Sequence, residues 1–260
     1  SPEGMGLLPD GAPAQGEAGG SQTRGTNPMP AAPTSALSSA RRPWSETYFT
    51  VREAMRTTSY WLLVLAVGLR NTVHSGMSFL LVPVMVWFLE GGGRSEGDSQ
   101  AIAIPLVGAF SLGTVVFNPL VGWAGDNWSK LKLSSIAMVS GVVAIVALMN
   151  HSGHLWQVGL FVVLLAYSES ANPLAWAIMG DFFGRTSYGR LRGWQHLPNH
   201  LISMPFPWIV GLIFDKTNSY YWGIVVLTAI YGVAAVFYWT LPTPRVPSRL
   251  LQAPAPQSTQ

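Results

Sequence analysis

The chain has no cysteine, and charged residues make up only 10% of its 260 positions. The first absence excludes disulfide frameworks, thiolate zinc sites, iron–sulfur clusters and thiol nucleophiles. The second excludes an ordinary soluble domain, in which about 25% of residues are charged. A formal net charge of +3 is too small to signal nucleic-acid binding, so no nucleic-acid partner is expected. Also missing is a basic stretch followed by a short apolar run at the start, which argues against a cleaved secretory signal. The first residue is Ser1 rather than Met, which raises the expectation of further sequence upstream.

What the chain has in quantity is apolar sequence, 49% of its residues, and it is unevenly placed. Residues 1–45 are rich in Pro, Gly, Ala, Ser and Thr, lack apolar periodicity and read as a disordered linker or tail. Residues 246–260 read as a second such tail. In between, six apolar stretches recur, at about 60–89, 101–124, 131–149, 155–179, 194–214 and 220–241. Each can cross a hydrocarbon core of roughly 30 Å as a helix. None alternates with the period of two that a barrel strand needs, and lipid demands that backbone groups be satisfied within the segment. The expected fold is therefore all-α, a six-helix transmembrane bundle over 60–245. Trp61, Trp87, Trp123, Trp128, Trp156, Trp194, Tyr220, Tyr221, Trp222 and Trp239 lie near the segment ends, where ring systems favour the headgroup region. Residues 46–59 mix charged and apolar side chains and are expected to form a short interfacial helix.

Orientation follows from the basic residues. One set of flanks and loops carries Arg41, Arg42, Arg52, Arg56, Lys130, Lys132, Arg185, Arg190, Arg192, Arg245 and Arg249; the other carries only Arg94 and Lys216. Eleven against two predicts that both termini lie on the cytoplasmic side of a plasma (inner) membrane.

Charge inside the apolar stretches is the sharpest functional clue. Arg70 lies about ten residues into the first, with Asn71 beside it and His74 one turn on, on the same helical face. An arginine at that depth costs roughly 2.5–3.5 kcal/mol on insertion scales and calls for a polar cavity and a partner. Glu169 is the only acid at comparable depth, so Arg70 and Glu169 are expected to share one cavity. In the fifth stretch His196, Asn199 and His200 fall on one face, among Pro198, Pro205 and Pro207, the pattern of a discontinuous helix lining a midplane site. Asn118–Pro119 and Asn172–Pro173 mark possible kinks. The alternative readings are a snorkelling Arg70 and a His200 that only bonds a neighbouring helix.

Three loop patterns carry a resemblance. Gly122-Trp-Ala-Gly-Asp126-Asn-Trp-Ser-Lys130 resembles the Gly-x-x-x-Asp-Arg/Lys-x-Gly-Arg/Lys loop of the major facilitator superfamily. It departs from that pattern at Asn127 and Ser129. Gly180-Asp-Phe-Phe-Gly184-Arg185 through Arg190-Leu-Arg192-Gly193 is similar to the loop between helices ten and eleven of carboxylate-type members. Gly211-Leu-Ile-Phe-Asp215 through Tyr220 is similar to the outer end of helix eleven, with Asn218 where Gly is common. Over 46–245 the resemblance is to the second six-helix half of a twelve-helix transporter, nearest to oxalate/formate and monocarboxylate types. It implies a secondary transporter, symporter or antiporter, for a small organic anion, not an enzyme and without a cofactor. The N-terminal six-helix half is its partner, upstream or in trans, within a lipid bilayer.

On this reading Arg70, Asn71, His74, Asn172, Asn199 and His200 bind the solute and Glu169 couples a proton. Gly122, Asp126, Lys130, Arg185, Arg190, Arg192 and Asp215 belong to gating loops, where an acid and a nearby base form a bistable contact. The arginines could equally anchor the loop at anionic headgroups. Other classes stay open: a non-transporting six-helix remnant, a haem protein using His74 and His200, and a membrane hydrolase built around Ser111.

Overall fold

A computed structural model describes residues 49–184 and 186–245. The expected linker 1–45, the tail 246–260 and Arg185 lie outside the described residues. Among those described there is no strand. The helices are α1 (Val51–Met55), α2 (Thr58–Glu90), α3 (Glu96–Asn127), α4 (Lys130–Val146), α5 (Leu155–Glu169), α6 (Asn172–Phe183), α7 (Tyr188–Ser203), α8 (Phe206–Thr217) and α9 (Tyr221–Thr240). Taking α5 with α6 and α7 with α8 as single broken rods leaves six rods after α1. Five of these, α4 excepted, are long and apolar enough to cross a membrane. With 17 residues, α4 measures about 25 Å at 1.5 Å per residue. Turns at one end of the bundle carry Lys130, Lys132 and Arg190; we call this the basic end.

Two of the rods are broken, and proline explains where. Pro173 has no N–H to give the carbonyl of Glu169 four residues back, so α5 stops at Glu169 and α6 restarts with Pro173 in its first turn. Likewise Pro205 and Pro207 deprive Leu201 and Ser203 of donors, and α7 gives way to α8 at Met204–Pro205. By contrast Pro83, Pro105 and Pro119 sit inside continuous helices. The stretch expected to be helical over 46–59 is helical, in its described part, over Val51–Met55 and again from Thr58, where α2 begins. At α1 Thr50 and Glu53 form a reciprocal capping box, and Thr57 starts α2 by accepting from the Tyr60 amide at 3.2 Å. Phe49 straps this segment to the bundle. Its ring meets Phe183 edge-on at 5.4 Å, and its carbonyl accepts from Ser187 Oγ at 2.6 Å.

The core is built from α2 against α7 and α9, and α4 against α5 and α9. α2 and α7 run parallel with a constant offset. Tyr60 Oη donates to the Leu191 carbonyl at 3.1 Å, Gly68 faces Asn199, and Gly76 faces Phe206. α4 and α9 meet where Gly141 lies under the Tyr231 ring, so close that an added Cβ would stand 2.6 Å from Tyr231 Cε2. Outward faces remain apolar: Leu112, Val115, Val116 and Leu120 on α3 are exposed, as are Trp61, Trp123, Trp128, Trp156, Trp194, Trp222 and Trp239 near helix ends. Such a continuous apolar exterior fits a lipid environment.

Two of the aromatics near segment ends also make ring contacts within the bundle. Trp87 stacks on His151 at 4.1 Å between centroids and its carbonyl lies 2.6 Å from His151 Nε2. Tyr220 stacks on Phe214 at 4.3 Å. The turn after α2 is fastened to the turn after α4 as well, by Arg94 Nη1 donating to the Gly153 carbonyl at 2.5 Å. Gly153 has φ +70 and abuts Gly92, so no side chain fits there.

The Gly141 approach yields a test. Gly141→Ala should lower stability by about 1–3 kcal/mol through displacement of Tyr231. Gly159→Ala, in a helix with open space around its Cα, should not. Thermal unfolding in detergent distinguishes the two.

Candidate functional site

The site grows from the α5–α6 break. Freed by Pro173, the carbonyl of Glu169 accepts a hydrogen bond from Arg70 Nη2 at 3.1 Å, and the same Nη2 pairs with Glu169 Oε2. One guanidinium thus takes both the backbone and the side chain of one residue. Tyr231 Oη, set by Gly141, donates to Glu169 Oε1 at 3.0 Å, and His74 Nδ1 lies 2.8 Å from Oε2. Arg70 Nη1 donates to Asn71 Oδ1 at 3.2 Å. Three helices, α2, α5 and α9, therefore converge on one carboxylate.

Exposure separates the members. The side chains of Arg70 and Glu169 are 5% and 7% exposed, whereas that of His74 is 54% exposed. The ion pair sits in the wall and His74 stands in the open space before it. Attraction at this depth has to offset the desolvation of both charges, which it does only when further hydrogen bonds complete the pair. Tyr231, Asn71 and the Glu169 carbonyl supply them here. Arg70 Nε is left buried without a partner among the described residues.

In front of the pair lies a cavity of about 760 Å³, within the usual range for small-ligand sites. Arg70, Asn71, His74, Glu169, Asn172, Asn199 and His200 all line it, so the residues singled out from sequence for binding and coupling come together. Asn118 and Thr114 of α3 line it too. One face of α7 supplies Arg192, Gln195, His196, Asn199, His200 and Ser203, with His196 and His200 stacked at 5.6 Å between centroids. Asn199 Oδ1 is buried with no hydrogen bond among the described residues.

The residues assigned to gating loops are scattered. Gly122 and Asp126 are exposed near the end of α3. Lys130 does not pair with the nearby Asp126: its Nζ reaches Asp181 Oδ2 on α6 at 2.7 Å. Arg190 is exposed in the first turn of α7. Arg192 is no loop residue, because α7 begins at Tyr188, six residues before the expected start at Trp194, and carries it into the cavity. There its guanidinium lies 3.9 Å from the centre of the Trp176 ring. At the far end Asp215 is exposed beside Tyr220, whose hydroxyl is pushed up by burial and by that carboxylate. Asn218 stands where Gly is common because it ends α8 in the left-handed conformation, φ 51, which Asn tolerates.

Sequence reasoning missed Tyr231, Asp181, Trp176, Gln195 and the cavity position of Arg192. For Arg192, Gln195 and Ser203 a signal existed: they extend the His196/Asn199/His200 face by one turn in each direction. For Asp181 and Tyr231 none did.

The Major Facilitator Superfamily profile matches residues 67–259, about three quarters of the chain. The chain belongs to that superfamily. It is accordingly an integral membrane protein and a membrane transporter, and the cavity belongs to a fold whose members move solutes rather than transform them. No curated protein matches the chain.

For this transporter the buried pair sets a stability test. Arg70→Met should cost about 3–5 kcal/mol, because it strands Glu169 in the bundle. Adding Glu169→Gln should restore a large part of that loss, read as unfolding temperature in detergent.

Proposed function

We propose that the protein is a secondary active transporter that carries a small organic anion of the carboxylate type, coupled to protons. It acts by alternating access against an N-terminal six-helix half, upstream or in trans, in the plasma membrane with both termini cytoplasmic. The observation that carries this reading is the Arg70–Glu169 pair in the cavity wall with His74 set between Glu169 and the open space.

While Glu169 is ionised, Arg70 is occupied by it. A proton arriving through His74 neutralises Glu169 and weakens the pairing, and the released guanidinium can take a carboxylate in the bidentate manner that suits its fork. Asn71, Asn172, Asn199 and His200 orient the bound anion with hydrogen bonds. When the anion leaves, Arg70 recaptures Glu169 and the proton is driven off toward the other side. The cavity thus trades one negative partner for another and avoids an unpaired buried arginine. Motion of the helix ends bearing Gly122, Asp126, Lys130, Arg190 and Asp215 then exposes the site to alternate sides, with the Lys130–Asp181 pair as one contact that forms and breaks.

Proteoliposomes carrying the protein, assayed with labelled carboxylates, sugars and amino acids, test this. Uptake of at least one carboxylate should be accelerated by an imposed proton gradient, and Arg70→Ala should abolish it; normal uptake by that variant removes Arg70 from the site. Glu169→Gln should erase the response to the gradient while counterflow exchange persists. Undiminished proton dependence refutes the coupling role.

A further inference from the structure

The positive charge of the cavity is divided between two levels, and only one is already spoken for. Arg70 is occupied by Glu169. Arg192 has no acidic partner and no hydrogen bond among the described residues, and its guanidinium lies against the Trp176 ring. A cation–π contact holds a guanidinium near the ring without using its N–H donors as an acid would, and those donors are what bind a carboxylate with two parallel hydrogen bonds. The position is against local preference, since a base close to a helix N-terminus opposes the helix dipole. Arg192 and Arg190 both stand in the first turns of α7, so the dipole and the arginines add to one field that favours an anion.

The levels are set by the parallel packing of α2 and α7. Tyr60 meets Leu191 and Gly68 meets Asn199, so Arg192 is level with the first turn of α2. Arg70 stands some nine residues farther along, roughly 14 Å at 1.5 Å per residue. At the level of the backbone the two arginines are thus well separated along the cavity. Between them Gln195, His196, Asn199 and His200 face the same cavity at successive turns of α7 and supply polar contacts along the way.

We propose that Arg192, clamped by Trp176, forms a second anion subsite at the basic end of the cavity. There it holds the carboxylate of the solute on its way between Arg70 and the solution on that side. This rests on the carboxylate reading above and adds to it a separate station with its own residues. It makes Arg192 a binding residue for one face of the membrane and Trp176 its positioning residue.

The test uses the full protein in right-side-out and inside-out vesicles, with L-lactate and oxalate as probes. Arg192→Gln should raise KM about tenfold or more for anion supplied from the face bearing Lys130, and change it less than about twofold from the other face. Arg192→Lys, which keeps the charge without the fork, should fall between. Trp176→Leu should raise KM on the same face by about threefold and serves as the test should Arg192→Gln fail to insert. Unchanged KM from the Lys130 face, or an equal rise from both faces, overturns the subsite. If the unaltered protein carries neither these probes nor any other carboxylate, the transport reading itself fails; carboxylate transport with an indifferent Arg192 removes only this inference.

Discussion

A buried arginine and a buried glutamate must meet, and much of the bundle is arranged so that they can. Neither charge is tolerable alone in an apolar interior. Their contact depends on features that are individually ordinary. Pro173 interrupts α5 and frees a carbonyl for Arg70. Gly141 lets Tyr231 lie flat against α4, so that its hydroxyl reaches Glu169. α2 brings Arg70 and His74 to the same carboxylate one turn apart. The residues without charge, a proline, a glycine and a tyrosine, thereby fix the geometry of the two that have it.

Helix interruption and polar lining occur together for a physical reason. A continuous helix consumes its own carbonyls and donors, so it can offer a cavity only side chains. Breaks at Ser170–Ala171 and Met204–Pro205 release backbone acceptors in the middle of the bundle. One of these is taken by Arg70. Around the breaks, Asn172, Asn199, His200 and Ser203 line the open space, while the opposite faces of the same helices stay apolar: Leu197, Leu201, Met204 and Trp208 are exposed on the outside. In lipid this is the permitted arrangement, irregular backbone where it faces a polar cavity and regular helix where it faces hydrocarbon.

How much of this is legible in the sequence depends on contrast. Arg70 and Glu169 stand out because each interrupts a long apolar run, and the cost of burying one charge implies the other. The six rods are legible for the same reason, since length and hydropathy leave few alternatives to helices. Tyr231 is not, because a tyrosine in an apolar helix looks the same whether it anchors at an interface or bonds a carboxylate. Asp181 is equally hidden: Lys130 has Asp126 four residues before it, and only the packing of α4 against α6 selects the partner 51 residues away. Arg192 is misread through its helix boundary. A charged, glycine-containing first turn lowers hydropathy, so apolar patterning starts the helix at Trp194, whereas the backbone starts it at Tyr188. Boundaries set by hydropathy mark where lipid contact begins, and helices extend beyond it.

That extension matters for how the cavity handles charge. Had α7 begun at Trp194, Arg192 would be a loop residue, free to swing to headgroups. As part of the helix it is carried inward and held on Trp176, with Gln195, His196, Asn199 and His200 lining the cavity along α7 beyond it. The ion pair in the wall is neutral as a unit, so the field felt by an incoming anion at the basic end comes from Arg192, Arg190 and the helix terminus. Deeper in, the proposed mechanism has attraction appear only when Glu169 releases Arg70. On the proposed reading, a cavity with a standing positive charge at its mouth and a conditional one at its centre draws an anion in and retains it only when the proton is also present. In the proposed mechanism, that difference makes one event depend on the other.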